Sequence, residues 1–282
     1  MHVAKSIKSV RALIKKAKTR GRTIGFVPTM GALHEGHASL LNRCRKDNDV
    51  SVLSIFVNPK QFGPDEDFAK YPRPFKNDAA LAKKCGVDII FRPSVEEMYP
   101  KNFLTSVKLD GITNVLCGRS RPEHFNGVAT VVEKLLNIIQ PDTIYLGQKD
   151  AQQVIVLKKM IRDLNIPVTV NVCPTIRERD GLALSSRNKY LTSQQRQQAP
   201  VLYSSLKLAQ KKIIAGERNP ASIIQLIRSH IEHNSTGRID YVECVAADSL
   251  QLVDKIRGKV LIALAVWFGK ARLIDNILLS VK

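Results

Sequence analysis

The sequence predicts an α/β protein, with a doubly wound parallel sheet in an N-terminal domain and a smaller α+β domain after it. Three observations carry that prediction. Short apolar segments alternate with stretches of helical periodicity through the first two-thirds of the chain, the order that winds helices around a parallel sheet. The segment VSVLSIFVN (50–58) is almost wholly apolar, as a strand buried on both faces must be. Past Arg187 the alternation gives way to helical segments and then three apolar strands.

Taken in order, Ile7, Val10, Ile14 and Ala17 recur at helical spacing, and the rest of that amphipathic helix is basic. Ile24 to Val27 reads as a short buried strand that breaks at Pro28 and enters a loop carrying Gly31 and Gly36. A helix then resumes in HASLLNRCRKD, with Leu40, Leu41 and Cys44 on its apolar face. After strand 50–58 comes a loop rich in Pro, Gly and acids, Pro59 to Pro74. NDAALAKKCG makes a short helix ended by Gly86, and VDIIFRP is the next strand. A long amphipathic helix fits Gly127–Gln140, followed by strand 143–147, a helix beginning at Asp150, and strand VTVNVCPTI. Thr192 opens a helical segment in which Pro200 marks a kink or restart, and a second helix covers about 220–233. IDYVECVAA, KVLIALAVWFG and ARLIDNILLSV form a separate small sheet. The change of character lies near 176–188, which divides the chain into a ligand-binding domain, 1–178, and a smaller lid-like domain, 179–282.

Composition narrows the function classes. Apolar residues make up 44% of the 282 and charged residues 24%, ordinary for a globular chain with a sizeable core. The five cysteines are far apart and form no CxxC, as expected of reduced thiols in a cytoplasmic protein. The basic N-terminal stretch has no uninterrupted apolar core, and the longest apolar run, Val260–Phe268, is far short of a membrane span, so no membrane partner is expected. The net charge of +19 invites a nucleic-acid reading, with Lys5, Lys8, Arg11, Lys15, Lys16, Lys18, Arg20 and Arg22 as its densest patch. No aromatic-interleaved basic stretch accompanies them, so the patch reads as the solvated side of a helix and no specific nucleic-acid partner is expected.

The run TIGFVPTMGALHEGH (23–37) carries the most chemistry. Strand, glycine-bearing loop and helix N-terminus form the local geometry that binds phosphate, because free backbone N–H groups and the helix dipole both favour an anion there. His34 and His37 stand three residues apart in that loop and can donate to phosphate oxygens. The helical zinc pattern needs histidines four apart, so metal is disfavoured. Three further groups stand where ligands of such a sheet bind. Gly147-Gln148-Lys149-Asp150 ends a strand and opens a helix; Lys149 can neutralise phosphate, and Asp150 either accepts ribose hydroxyls or caps the helix. Ser185-Ser186-Arg187-Asn188 offers hydroxyls and a guanidinium to a polyphosphate, though an ordinary surface loop reads the same way. Asn58, Gln61 and Gln153 are amides able to bind hydroxyls and carboxylates without adding repulsive charge.

PTMGALHEGHASLL, SIFVNPKQF, YPR, RPEHFNGVATVV, LGQKDAQQ and RERDGLALSSRN together resemble, in the same order, the motifs of the pantothenate synthetase (pantoate–β-alanine ligase) family of the nucleotidylyltransferase superfamily. The likeness runs from about residue 3 past 195 and is weaker beyond. Leu184 stands where Met is usual and Glu123 where Gly is common. The resemblance implies a Rossmann-like N-terminal domain and a cytoplasmic homodimer that joins (R)-pantoate to β-alanine with ATP and Mg²⁺, through a pantoyl-adenylate. It implies catalytic roles for His34, His37 and Lys149. It implies ATP contacts from Met30, Gly31, Ala32, Leu33, His34, Glu35, Gly36, His37, Gly147, Gln148, Lys149, Asp150, Ile176, Leu184, Ser185, Ser186 and Arg187. It implies pantoate binding by Asn58, Gln61 and Gln153, with Gln61 also meeting β-alanine. Other adenylate-forming or nucleotidyl-transferring members of the superfamily are the rival reading, which the amides at 61 and 153 disfavour.

Overall fold

Six strands pair in parallel in the computed structural model, which describes residues 1–282 except 65 and 67. They are β1 (His2–Ala4), β2 (Ile24–Thr29), β3 (Val50–Ile55), β4 (Ile89–Phe91), β5 (Thr143–Gly147) and β6 (Thr169–Cys173). Their order across the sheet is β1-β4-β3-β2-β5-β6, so successive strands are added on one side of β2 up to β4 and on its other side from β5. Such a reversal leaves a crevice outside the carboxyl ends of the two strands that flank it, here β2 and β5. Ile24, Phe26, Val27, Val52 and Leu53 are fully buried, which is why these strands read as continuous apolar runs rather than alternating ones.

Helices α1 (Ile7–Lys18), α2 (Glu35–Asp47), α3 (Phe75–Lys84), α4 (Val95–Met98), α5 (Cys117–Ser120), α6 (His124–Ile139) and α7 (Ala151–Asp163) lie between or after the strands. Helix α1 buries Val10, Ile14 and Ala17, as its spacing predicts. Three local details differ from expectation. Strand β1 is an edge strand of three residues against β4, too short to show any periodicity. Strand β2 continues through Pro28 to Thr29; its ladder with β5 covers only Gly25 and Phe26, so the missing Pro28 N–H falls beyond that pairing. Helix α6 starts at His124, earlier than the expected Gly127. Within the loop 59–74, a short turn forms at Pro59–Gln61, and the acids at 65 and 67 lie outside the described residues.

Two compact units account for the packing. The first comprises Met1–Thr113, Arg121–Gln148 and Val156–Pro174; the second comprises Asn114–Ser120, Lys149–Ile155 and Thr175–Lys282. The second unit is built on an antiparallel sheet of β7 (Arg238–Ala246), β8 (Gly258–Phe268) and β9 (Ala271–Val281), in that order. Helices α8 (Ser193–Gln198), α9 (Val201–Ile214) and α10 (Pro220–Asn234) complete it, and Pro200 stands at the restart between α8 and α9. Leu206, Ile227, Ile231, Val260, Ile262 and Leu264 form its fully buried centre, each side chain contributing roughly 1.5–3 kcal/mol of apolar burial.

All five cysteines are buried and unbridged. Burial pushes the Cys44 thiol up to about 12 and that of Cys244 to about 11, so neither supplies a thiolate at neutral pH. Among the described residues no helix is long and apolar enough to cross a membrane.

Candidate active site

The turn after β2 is held from below by one buried carboxylate. Asp78 of α3, only 2% exposed, accepts the backbone N–H of Ala32 at 3.0 Å and of Leu33 at 2.8 Å. The same turn needs left-handed backbone at Gly31 (φ 85°) and Ala32 (φ 51°). A Cβ at Gly31 would sit 2.9 Å from Asp78 Oδ2 and 3.1 Å from Ile55 Cγ2, so glycine admits the carboxylate as well as the dihedral. Thr29 ties the strand end down, donating from Oγ1 to the Ser54 carbonyl at 2.7 Å and accepting from Gly31 N–H at 3.2 Å.

The histidines complete the helix start. His34 is the N-cap of α2, and its Nδ1 accepts the Gly36 N–H at 3.1 Å. His37 Nδ1 accepts the His34 N–H at 3.3 Å. Helix α2 therefore begins at Glu35, two residues before His37, because an imidazole does the work usually given to Ser or Asp. Each Nδ1 acts as an acceptor, so in the neutral rings the hydrogen resides on Nε2. The rings lie 4.2 Å apart, tilted by 48°. Two Nε2–H donors at a helix N-terminus, at the end of a switch-point strand, suit an oxyanion.

Amides beside this loop are fixed by an internal network. Asn58 Nδ2 donates to Gln61 Oε1 at 3.1 Å and to the Gly127 carbonyl at 3.0 Å. Its Oδ1 accepts the Lys60 N–H at 3.3 Å and the Tyr99 hydroxyl at 2.9 Å. Every hydrogen-bonding position of Asn58 is thereby used within the protein, and burial holds the Tyr99 phenol above its ordinary range. Gln61 is left with its Nε2 on the thioether of Met30 at 3.1 Å, a weak acceptor that a carboxylate can replace. Arg121 and His124 fasten the Gln61 backbone: Arg121 NH2 donates to its carbonyl at 3.3 Å, and His124 Nδ1 lies 2.8 Å from the same oxygen. Arg121 is paired in turn with Glu66 at 2.6 Å. Burial pushes the Glu66 carboxyl up, but the Arg121 hydrogen bond and charge outweigh it and hold the group below its usual range. Gly127 packs so closely on this turn that a Cβ there would collide with the Lys60 carbonyl.

The remaining expected residues belong to the second unit. Lys149 and Asp150 stand at the start of α7, Lys149 Nζ 3.9 Å from Asp150 Oδ1, with half of the Asp150 side chain exposed. Gln153 is half-buried on the same helix. Ile176 and Leu184 are brought together by a hydrogen bond from the Leu184 N–H to the Ile176 carbonyl at 3.0 Å. Ser185 caps the short turn Ser186–Tyr190 by accepting the Arg187 N–H at 3.2 Å, and Asn188 Nδ2 donates to the Ala183 carbonyl at 3.1 Å. Gly147 and Gln148 stay with the first unit, at the end of β5, and Glu35 is exposed at the start of α2.

Asp78, Tyr99, Arg121 and His124 escaped the reading of the sequence. RPEHFNG contains Arg121 and His124 and YPR precedes Asp78, while Tyr99 lies in neither; a buried acid on an ordinary helix has no signature until its partners are known.

Residues 2–278 match the family described as Pantoate-beta-alanine ligase. Pantothenate synthetases of Caldicellulosiruptor bescii and Acetivibrio thermocellus are each 53% identical to the chain, over 282 and 281 residues, with full coverage of both proteins. The crystal structure of pantothenate synthetase from Thermus thermophilus superposes with a TM-score of 0.93 at 42% identity, covering 98% of this chain and 99% of that one. Pantoate-beta-alanine ligase from Francisella tularensis, complexed with β-γ ATP and β-alanine, gives a TM-score of 0.80 at 38% identity, covering 99% and 97%. The chain belongs to the pantoate-beta-alanine ligase family, and it is an ATP-dependent ligase that joins pantoate to β-alanine.

Proposed function

We propose that the chain condenses (R)-pantoate with β-alanine in two steps through a pantoyl-adenylate. In the first, a pantoate carboxylate oxygen bonds to the α-phosphorus of ATP, the bond to the bridging oxygen breaks, and pyrophosphate leaves. In the second, the β-alanine amine bonds to the activated carbonyl carbon, the bond from that carbon to the AMP oxygen breaks, and the amine gives up a proton. No protein nucleophile is required, so the protein's part is positioning, charge stabilisation and exclusion of water from the mixed anhydride.

The observation that carries this reading is the loop 31–37, where both imidazoles cap the helix through Nδ1 and so carry the ring hydrogen on Nε2. His34, His37 and Lys149 stabilise the departing pyrophosphate. Ser185, Ser186 and Arg187 hold the β and γ phosphates, with Leu184 giving that loop its apolar contact. Backbone of Met30, Gly31, Ala32, Leu33, Glu35, Gly36 and Gln148 lines the nucleotide, Ile176 meets the adenine, and Gly147 with Asp150 receives the ribose. Gln61 and Gln153 bind pantoate, Asn58 orients Gln61, and β-alanine enters beside Gln61. Residues 1–178 act as the nucleotide- and pantoate-binding domain and 179–282 as the smaller one.

Mg²⁺ fits a site of this kind, since it takes one or two carboxylates and completes its shell with phosphate oxygens and water. The half-exposed Asp150 carboxylate is such a donor, and no cluster of three acids, histidines or cysteines exists among the described residues to form a dedicated cage. When bound, the ion neutralises charge on the triphosphate. The enzyme acts in the cytoplasm as a homodimer, the buried reduced thiols being in keeping with that compartment.

The test is AMP release by purified protein given ATP and pantoate, with and without β-alanine. Pantothenate should form in step with AMP only when all three substrates are present. ADP as the nucleotide product would refute the adenylate.

A further inference from the structure

We infer that two adjacent residues of the last strand, Asp275 and Asn276, are positioning residues that set both ATP-gripping loops of the second unit. The inference rests on the adenylate reading above, and it concerns residues far from every recognised motif. Both side chains are almost wholly buried in the middle of β9, where an apolar pair would pack at less cost.

Asp275 receives a two-pronged hydrogen bond from Arg177, NH1 to Oδ2 at 2.6 Å and NH2 to Oδ1 at 2.8 Å. Its Oδ1 also accepts the Asn276 N–H at 2.8 Å. The Arg177 guanidinium lies 3.7 Å over the Tyr203 ring and donates to the Gly181 carbonyl at 3.1 Å. That second bond closes a hairpin in which Arg177 bridges Ala183 and the Leu184 N–H reaches the Ile176 carbonyl. The hairpin ends directly in Leu184, Ser185, Ser186 and Arg187. A bidentate pair fixes direction as well as distance, so the carboxylate of Asp275 sets the angle at which this loop leaves the sheet.

Asn276 does the same for the other loop. Its Nδ2 donates to the main-chain carbonyl of Lys149 at 3.0 Å. One dipeptide on one rigid strand thus holds the backbone of Lys149 and the hairpin that presents Ser185–Arg187. Its effect is to keep the lysine and the serine–arginine loop in one fixed register on the triphosphate. A misplacement of about 1 Å at such a site can cost on the order of 10²-fold in rate.

The experiment separates the two half-reactions. Pantoate-dependent exchange of labelled pyrophosphate into ATP reports the first, and conversion of synthetic pantoyl-adenylate with β-alanine reports the second. Asp275→Asn should lower the exchange by about 10²-fold while the second half-reaction stays near the wild-type rate. Asn276→Ala removes the neutral hydrogen bond to the Lys149 carbonyl without leaving a buried charge; it should lower exchange by roughly 10-fold, with a higher KM for ATP and an unchanged KM for β-alanine. Equal loss in both half-reactions by a folded Asn276→Ala protein, or no loss in either, would overturn the inference. If the wild type itself shows no exchange, the adenylate reading fails instead, and the two failures are told apart by that control.

Discussion

The two loops proposed to bind phosphate, 31–37 and 184–187, are held by opposite means. In the first unit the loop 31–37 is fixed largely by its own neighbours in sequence: the imidazoles of His34 and His37 cap the helix that carries them, and the Asp78 carboxylate accepts two of the loop's N–H groups. In the second unit the loop 184–187 depends on Arg177 and, through it, on Asp275, almost a hundred residues further on. A loop that caps itself keeps its shape as long as its helix is folded. A loop clamped by a distant strand can change when that strand is disturbed. The difference teaches where activity can be lost without loss of fold.

The largest effect is expected at the self-capped loop. His37→Ala should lower adenylate formation by about 10²–10³ by removing a donor to developing charge, with only the loss of about 0.5–2 kcal/mol in stability that removing one helix-capping contact brings. Near-normal exchange of pyrophosphate into ATP by that variant would show that the histidine serves the helix alone. Asp78→Asn comes next, because the amide NH₂ would face one of the two N–H groups that the carboxylate accepts now. It should cost roughly 1.5–3 kcal/mol in denaturant unfolding, and adenylation should fall with it. Unchanged stability would mean that the loop needs no outside support.

Smaller effects test the amides. Gln61→Ala and Gln153→Ala should each weaken pantoate by about 1.5–3 kcal/mol, measured by calorimetry, and leave ATP affinity nearly intact. Loss of ATP affinity with pantoate unaffected would reverse the assignment. Tyr99→Phe removes one of the two donors that fix Asn58, and a loss of about 0.5–1.5 kcal/mol is expected, read as a rise in KM for pantoate rather than for ATP. The smallest effect belongs to the basic helix. Changing Lys8, Lys15 and Lys18 together to Gln should barely alter turnover, since exposed charges are screened beyond about 8 Å at physiological salt. A steep salt-dependent binding of RNA by the wild type, lost in that variant, would reveal a partner for the helix.

The same contrast decides what was legible in the sequence. The parallel sheet could be read because β2 and β3 are mostly apolar and not alternating, and the loop 31–37 because strand, glycine and helix start are contiguous there. His34 and His37 stand out in the sequence as candidate ligands, but not as the caps that shift the start of α2 to Glu35, since that role depends on ring orientation. Asn58 drew notice as an amide, yet its donors are spent inside the protein, which only the fold reveals. Asp78, Asp275 and Asn276 carry no signal in the sequence, and Arg177, although it opens the RERDGLALSSRN motif, shows nothing there of its partner: each acts on backbone or side chains brought near by tertiary contacts. Chemistry that lies in a contiguous stretch is readable, and the support for that chemistry is mostly not.

The proposed chemistry turns on the attack of pantoate on the α-phosphorus. Pantoate labelled with ¹⁸O in its carboxylate, turned over with ATP and β-alanine, tests it in one measurement by mass spectrometry of the products. One labelled oxygen is expected in AMP, because the oxygen that bonds to phosphorus stays with the nucleotide when the amide forms. Label in inorganic phosphate, with ADP as the nucleotide product, would contradict it.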